Sequence, residues 1–395
     1  MESISFEEAR KRVLVRARAM QLPLAVEDIE LSQASGRVAA HAVVADRDYP
    51  PVARSIRDGY AVQLTDFNGT CEVIGELRAG QPATISVGAG QAVEIMTGAP
   101  IPPGADAVVM VEHTTRSGSQ MCTDRCPQAG EFINPAGSEV RKGAVVVPAG
   151  EVFTFPRIAM AATVGSTRVS VYRKPRVAIL STGDEVISIA ATPRDFEVRN
   201  SNAWSLAAQV ERAGGVPTIL PVAADLYNPT RELTEAGLQH DLLLLSGGVS
   251  AGKYDIVETV LADLGAEFFF TRVAIQPGQP VVFGRARDKF FFGLPGNPAS
   301  TMVCFEVFAK AMVQLLAGRT EPDWAFGWAT LTHDFRHKPG LTRFLPARLD
   351  NGTLTHIPWQ GSSDVPSLAR ANCFLIADAG RDLWAAGDWI RFLPI

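Results

Sequence analysis

Three short segments of this 395-residue chain combine glycine with polar side chains in a way suited to holding an anion. They are Ser181-Thr182-Gly183-Asp184-Glu185, Ser246-Gly247-Gly248-Val249-Ser250 and Leu294-Pro295-Gly296-Asn297-Pro298. Adjacent glycines such as Gly247 and Gly248 let backbone N–H groups converge on negative charge where side chains would obstruct it. The third segment opens a long apolar stretch of helical character, and a helix N-terminus favours an anion. Any one of them reads equally well as a turn. All three together imply a phosphorylated or otherwise anionic ligand.

Acids stand at the same loops: Asp184, Glu185 and Asp255. A carboxylate beside a phosphate is repelled unless a cation lies between them, and Mg²⁺ is commonly held by one or two carboxylates plus ligand oxygens. Asp255 and Glu185 are therefore candidate Mg²⁺ ligands, although Asp255 alone also fits a solvated helix start. Two more polar strings, Ser55–Ala61 with Asp58 and Met96–Pro100 with Thr97, are flanked by turn residues. Taken alone they read as turns.

The elements that must position these residues follow from periodicity. Ser5-Phe-Glu-Glu8 has the form of a capping box before an amphipathic helix running to about Met20, with acids in its first turn and Arg16 and Arg18 near its end. From about Pro51 to Gly137 short Val/Ile-rich runs (Cys71–Ile74, Ala92–Met96, Ala107–Val111) alternate with Gly/Pro clusters, a β pattern. Gly143–Val147 reads as a buried strand.

The pattern changes near Lys174-Pro175. Strands are expected at Arg176–Leu180, Pro217–Val222, Asp241–Leu245 and near Phe268 and Phe290. Helices are expected from about Asn202 to Ala213, after Asn228-Pro229, over Ile256–Leu264 and after Pro298. Such alternation predicts a parallel sheet with helices on both faces, and ligands bind beyond the carboxyl ends of such strands, where all three polar loops lie. After about Thr320 the chain turns β again, with a hairpin predicted at Leu345–Leu349 and Thr353–Ile357 because Asn351-Gly352 suits a type I′ turn.

Composition sets outer limits. Apolar residues make up 47% of the chain and charged residues 20%, an ordinary globular balance, and the length calls for several cores. Net charge is −5 with no basic block, which argues against nucleic-acid binding and means that any anion must be held by local geometry. The five cysteines are odd in number and irregularly spaced, so no disulfide framework is expected, and reduced thiols fit a cytoplasmic home. Cys122 and Cys126 are spaced like half a zinc site, but no second pair follows. No signal peptide is expected at the start, and no membrane span anywhere.

Taken as a set, the chain resembles the molybdopterin molybdotransferase family, which includes the E domain of gephyrin. The resemblance runs over nearly the whole length. It rests on Asp58-Gly-Tyr-Ala, Met96-Thr-Gly-Ala-Pro100, the Ser181–Glu185 and Ser246–Ser250 loops with Tyr254-Asp255, Gln276-Pro-Gly-Gln-Pro280 and Leu294–Pro298, in that order. It implies an α/β multidomain fold: a Rossmann-like parallel-sheet molybdopterin domain (174–320), β-rich N-terminal parts and a C-terminal β-barrel (321–395). The N-terminal parts would be a stalk-like domain (1–50 with 138–173) and an inserted β-rich domain (51–137).

The resemblance also implies a reaction and partners. Adenylylated molybdopterin would be hydrolysed in the presence of Mg²⁺ and molybdate, releasing AMP and the metal-loaded cofactor. The active site would be shared across a homodimer, with a molybdopterin adenylyltransferase as the delivery partner. Asp58 and Thr97 would act from the partner subunit on a site holding Glu185 and Asp255. Ser181, Thr182, Gly183, Asp184, Ser246, Gly247, Gly248, Ser250, Pro295, Gly296, Asn297 and Pro298 would bind the substrate. Gln276, Pro277, Gln279, Pro280, Arg343 and Ser362 would surround molybdate. The chain departs from the family pattern in having Arg57 for Met, Glu139 near an aspartate position, and Gln276 and Gln279 for two lysines. Two other readings compete: a nucleotide or pyrophosphate hydrolase of the same α/β type, and a non-catalytic scaffold.

Overall fold

A computed structural model describes residues 2–19, 24–248 and 256–395. Its α/β unit is built on a six-stranded sheet in the order Val216–Ile219, Arg176–Ser181, Leu242–Ser246, Lys289–Leu294, Val282–Ala286, Glu267–Phe270. The first four strands are parallel. Leu242-Leu-Leu-Leu245 shows no alternation because both faces are covered. Val177, Ile179, Leu242 and Leu244 meet the helix Ser201–Arg212 and the long helix after Pro298, whereas Ala178, Leu180, Leu243 and Leu245 meet Val257, Val260 and Leu261 of the helix Ile256–Asp263.

The sheet is mixed, because Val282–Ala286 runs antiparallel to both its neighbours. It forms a tight hairpin with Lys289–Leu294 through Arg287 and Asp288, both at positive φ (47° and 61°). Glycine or asparagine is the usual sign of such a turn, and Arg-Asp gives none. The long helix from Pro298 to Leu316 contains a π-helical turn at Phe305–Ala309. By length and composition it could cross a membrane, yet 83% of it is buried inside the protein. The first helix, Phe6–Ala19, buries Phe6, Ala9, Val13 and Ala17 in the same core as that long helix.

Residues preceding the α/β sheet build two smaller units with three hydrophobic clusters between them. One lies around Phe153 and Val171, where Val26–Glu30 pairs with Arg168–Tyr172. Among the described residues Val145–Val147 pairs only with Val43–Val44. Of the expected buried strand only Val147 is fully covered, and Val145 remains exposed, because a two-stranded ribbon leaves one face open. The other is a six-stranded β-rich unit in the order Ala107–Met110, Gly59–Val62, Gln91–Ile95, Thr70–Leu77, Gln120–Cys122, Thr115–Ser117.

Beyond the long helix, Thr342–Asp350, Thr353–His356, Gly327–Leu331, Trp389–Pro394 and Cys373–Ala377 pair in sequence, and the last pairs back onto the first to close a barrel. The Asn351-Gly352 turn has both residues at positive φ (47° and 82°), as the type I′ reading requires. Ile275–Gln276 joins the edge of Thr342–Asp350 in parallel, which draws the Gln276–Pro280 segment against the barrel.

Candidate active site

At the carboxyl edge of the parallel strands lies a cleft of ≈ 700 Å³, lined by all three polar loops. Ser181, Thr182, Gly183, Glu185, Ser246, Gly247, Gly248, Pro295, Gly296, Asn297 and Pro298 all line it. Adjacent strand ends hold the loops together through the backbone: Thr182 N–H donates to Ser246 O (3.0 Å) and Gly247 N–H to Leu294 O (3.1 Å). Gly247 and Gly248 sit at φ 93° and 63°, and a Cβ on Gly247 would lie 2.6 Å from the Thr182 carbonyl oxygen, so glycine is required there. Ser250 and Asp255 lie outside the described residues.

Two asparagines that sequence reasoning did not single out tie these loops together. Asn200 caps the helix Ser201–Arg212, accepting from Ala203 N–H at 3.1 Å, and also accepts from the Ser181 hydroxyl at 3.0 Å. Asn202 Nδ2 donates to Ser246 Oγ at 2.9 Å and to Gly296 O at 2.8 Å. For Asn200 the visible signal was the helix start itself, since Asn at an N-cap carries an oriented side chain.

The acids form a like-charged group on one wall. Glu185 folds back over Gly183, and Asp184 accepts from Asp225 N–H at 3.0 Å. Asp225, absent from the sequence-derived set, lines the cleft beside Glu185, whereas Asp184 does not line it. Burial, together with the charges of Asp184 and Glu185, holds Asp225 above the usual carboxylate range. Asp225 follows the strand Val216–Ile219, so the carboxyl-end rule that found the other loops also covers this one. Among the described residues no group of three or more His, Cys, Asp or Glu side chains is placed to hold a metal by itself.

A smaller cavity of ≈ 300 Å³ adjoins the cleft and shares Pro280, Pro295 and Asn297 with it. Gln276, Pro277, Gln279 and Ser362 line it with Ser300 and Trp359. Its wall is pinned where Ala299 N–H, at the start of the long helix, donates to Ser362 O at 2.9 Å. Gly278, at φ 104°, lies so close to Cys304 that a Cβ would stand 2.4 Å from the sulfur. Burial raises the Cys304 thiol far above its ordinary range, so it remains a neutral wall. Arg343 pairs in register with Gln276 and its Nε is buried without a partner, but it lines neither cavity.

Asp58 and Thr97 come together elsewhere. Both the backbone N–H and the hydroxyl of Thr97 donate to Asp58 Oδ1, at 2.6 and 2.8 Å. These two bonds, the backbone one foremost, hold Asp58 below the usual carboxylate range. Thr97 lines a third cavity of ≈ 510 Å³ with Arg47, Arg54, Asn134 and Glu139. This cavity shares no lining residue with the α/β cleft, so within one chain Asp58 and Thr97 form a separate cluster.

Fold and site define a multidomain α/β protein with a polar cleft at the carboxyl edge of its parallel strands and a β-barrel after the long helix. Three family profiles cover the chain: the MoeA N-terminal region (domain I and II) over residues 4–165, a probable molybdopterin binding domain over 178–314, and the MoeA C-terminal region (domain IV) over 329–395. The molybdopterin molybdenumtransferase of Bacillus subtilis (strain 168) is 35% identical over 93% of this chain and 90% of its own length. That of Staphylococcus aureus (strain N315) is 32% identical over 97% and 94%. The crystal structure of the molybdopterin biosynthesis moeA protein from Pyrococcus horikoshii OT3 matches with a TM-score of 0.84 at 27% identity, covering 100% of both chains. The chain belongs to the molybdopterin molybdenumtransferase family, a family of transferases in molybdenum cofactor biosynthesis.

Proposed function

We propose that this protein inserts molybdate into adenylylated molybdopterin, with Mg²⁺-dependent release of AMP. The observation that carries the reading is the pair of adjoining cavities: a large one walled by the three polar, glycine-bearing loops and a small one sharing three residues with it. The large cavity suits a phosphorylated substrate. The small one, between Gln276–Pro280 and Ser362, suits a compact oxyanion held by amides, a hydroxyl and loop N–H groups. Water cleaves the pyrophosphate bond and AMP leaves; the two dithiolene sulfurs then bond molybdenum in place of two molybdate oxygens, which leave as water with the thiol protons and protons from solvent, with no change of oxidation state.

Mg²⁺ fits the acidic wall. Asp225 is held above its usual range first by burial and then by the like charges of Asp184 and Glu185, and a divalent cation would relieve that repulsion. Glu185 and Asp225, with Asp255, would hold it together with substrate oxygens, where it would offset the charge developing on the cleaved phosphate. Ser246 and the loop N–H groups orient that phosphate, while Ser181 braces the loop through Asn200. Asp58 and Thr97 act from the second subunit of a homodimer in the cytoplasm, and a molybdopterin adenylyltransferase supplies the substrate.

The test is incubation of the pure protein with adenylylated molybdopterin, Mg²⁺ and molybdate, following AMP and metal-loaded cofactor together. Both should appear and both should require Mg²⁺. AMP without metal insertion would make the protein a hydrolase, and neither product would leave a scaffold.

A further inference from the structure

We propose that Asn202 is a positioning residue that makes the Ser246 hydroxyl a donor to the phosphate of the substrate. The inference rests on the reading that the cleft holds a phosphorylated molybdopterin. It starts from the two acceptors of the Asn202 amide. Gly296 O is a carbonyl and can only accept, so the NH₂ end of the amide must face it. A reversed amide would set oxygen against oxygen. The same NH₂ group donates its other hydrogen to Ser246 Oγ.

That bond fixes the direction of the serine. Having accepted from Asn202, Ser246 keeps its own O–H for another acceptor, and no described residue receives it. Ser246 is only 3% exposed, at the end of a central strand, so bulk water has little access to it. A buried hydroxyl with an unspent hydrogen gains most from an acceptor delivered by a ligand. Ser246 lines the cleft just before the two positive-φ glycines, Gly247 and Gly248, a backbone conformation suited to receiving an anionic oxygen.

Asn202 has a second effect of the same sense. By engaging Gly296 O it commits a carbonyl that would otherwise repel a phosphate, so the Pro295–Pro298 loop meets the anion without that repulsion. The Oδ1 of Asn202 is buried without a partner, and the amide is therefore held in this orientation by its donors alone. A group that makes two donor bonds while leaving its own acceptor unpaired is badly placed to be a stabilising element, and well placed to orient others.

The experiment is a double-variant cycle on the full-length enzyme with Asn202→Ala, Ser246→Ala and both together. KM for adenylylated molybdopterin should rise roughly tenfold to a hundredfold in each single variant, the range of one charge-assisted hydrogen bond, with kcat much less changed. The double variant should exceed Ser246→Ala by much less than the full Asn202→Ala loss, because Asn202 acts mainly through the serine and only the Gly296 contribution is independent of it. Asn202→Asp keeps the size of the side chain, but its carboxylate accepts the serine hydrogen, turns the donor away and sets oxygen against Gly296 O, so it should raise KM at least as much as Ser246→Ala. Additive losses, or a wild-type KM in Asn202→Asp with an unchanged melting temperature, would overturn the proposal. If the wild-type protein releases no AMP, the substrate reading fails. Titration of the same proteins with inorganic pyrophosphate then decides the hydrogen-bond chain alone, non-additive weakening upholding it and additive or absent weakening ending it.

Discussion

At the carboxyl edge of the α/β sheet, Ser181, Thr182 and Ser246 are nearly fully buried, and each loop is fastened to the next by backbone and asparagine hydrogen bonds. In the β-rich unit, Asp58 and Thr97 stand exposed and hold each other. The first arrangement is set by sheet register, so its polar groups are oriented before any ligand arrives. The second is an oriented carboxylate on an open surface, where water screens it. Its charge would become effective only under a covering surface that excludes solvent. The contrast supports the division of labour in the proposed reaction, in which one cluster binds and the other completes the site from a second subunit.

The largest expected effect tests that division directly. Asp58→Ala and Glu185→Ala should each lower turnover by roughly a hundredfold or more, the range of a lost acid–base or charge-stabilising group. Mixed under conditions of subunit exchange, the two inactive proteins should regain a measurable part of the wild-type rate, because one site of each mixed dimer has both residues intact. If exchange is demonstrated by labelled subunits and no rate returns, the clusters do not share a substrate.

A smaller effect concerns the oxyanion cavity. Gln279 keeps an N–H₂ donor but brings no charge, and a charge-assisted hydrogen bond exceeds a neutral one by about 1 kcal/mol. Gln279→Lys should tighten molybdate binding about fivefold to tenfold and steepen its salt dependence. Titration at two ionic strengths checks this. Unchanged binding would mean that Arg57 or another basic residue already supplies the charge.

The smallest effect separates the two clusters by pH. Asp225 titrates higher in the folded protein than in the unfolded chain. Its ionisation therefore costs the native state nothing below the unfolded value of about 3.9, and the cost grows as pH rises through the folded value. Asp225→Asn should raise the melting temperature by about 1–2 °C at pH 7 and leave it unchanged near pH 3. Asp58 is shifted the other way, so its contribution is present above the unfolded value and lost as pH falls through the folded one. Asp58→Asn should lower the melting temperature at neutral pH and not in acid. Calorimetry across pH 3–7 would show whether the two substitutions move stability in opposite directions.

The parallel core and its loops were legible because buried strands announce themselves as apolar runs and their polar ends follow the carboxyl-end rule. Leu242–Leu245 followed by Ser246-Gly-Gly is such a case. Val282–Ala286 was not legible as a strand, because the Arg287-Asp288 turn carries no glycine or asparagine and the run before it merges with Phe290–Phe292. Asp225 and Asn202 were missed for a different reason. Their importance lies in what they touch across the sheet, at Asp184 and at Ser246 and Gly296, and spacing along the chain does not encode those contacts. The Asp58–Thr97 bond likewise joins two strings that each read as a turn.

One core holds Phe6 and Val13 of the first helix, Phe305 and Phe308 of the long helix, and Phe344, Phe374 and Leu393 of the barrel region. A chain is made from its N-terminus, and its units generally fold as they emerge from the ribosome. This unit cannot finish that way. Its strands and helices are complete by Leu316, but the part of the core around Phe6, against which Phe344 packs, lacks its barrel residues until residue 393 has been synthesised. The nascent protein therefore carries a formed sheet with an unfinished core for the time taken to make the barrel. That interval is when it is most exposed to aggregation and most dependent on whatever shields apolar surface in the cell.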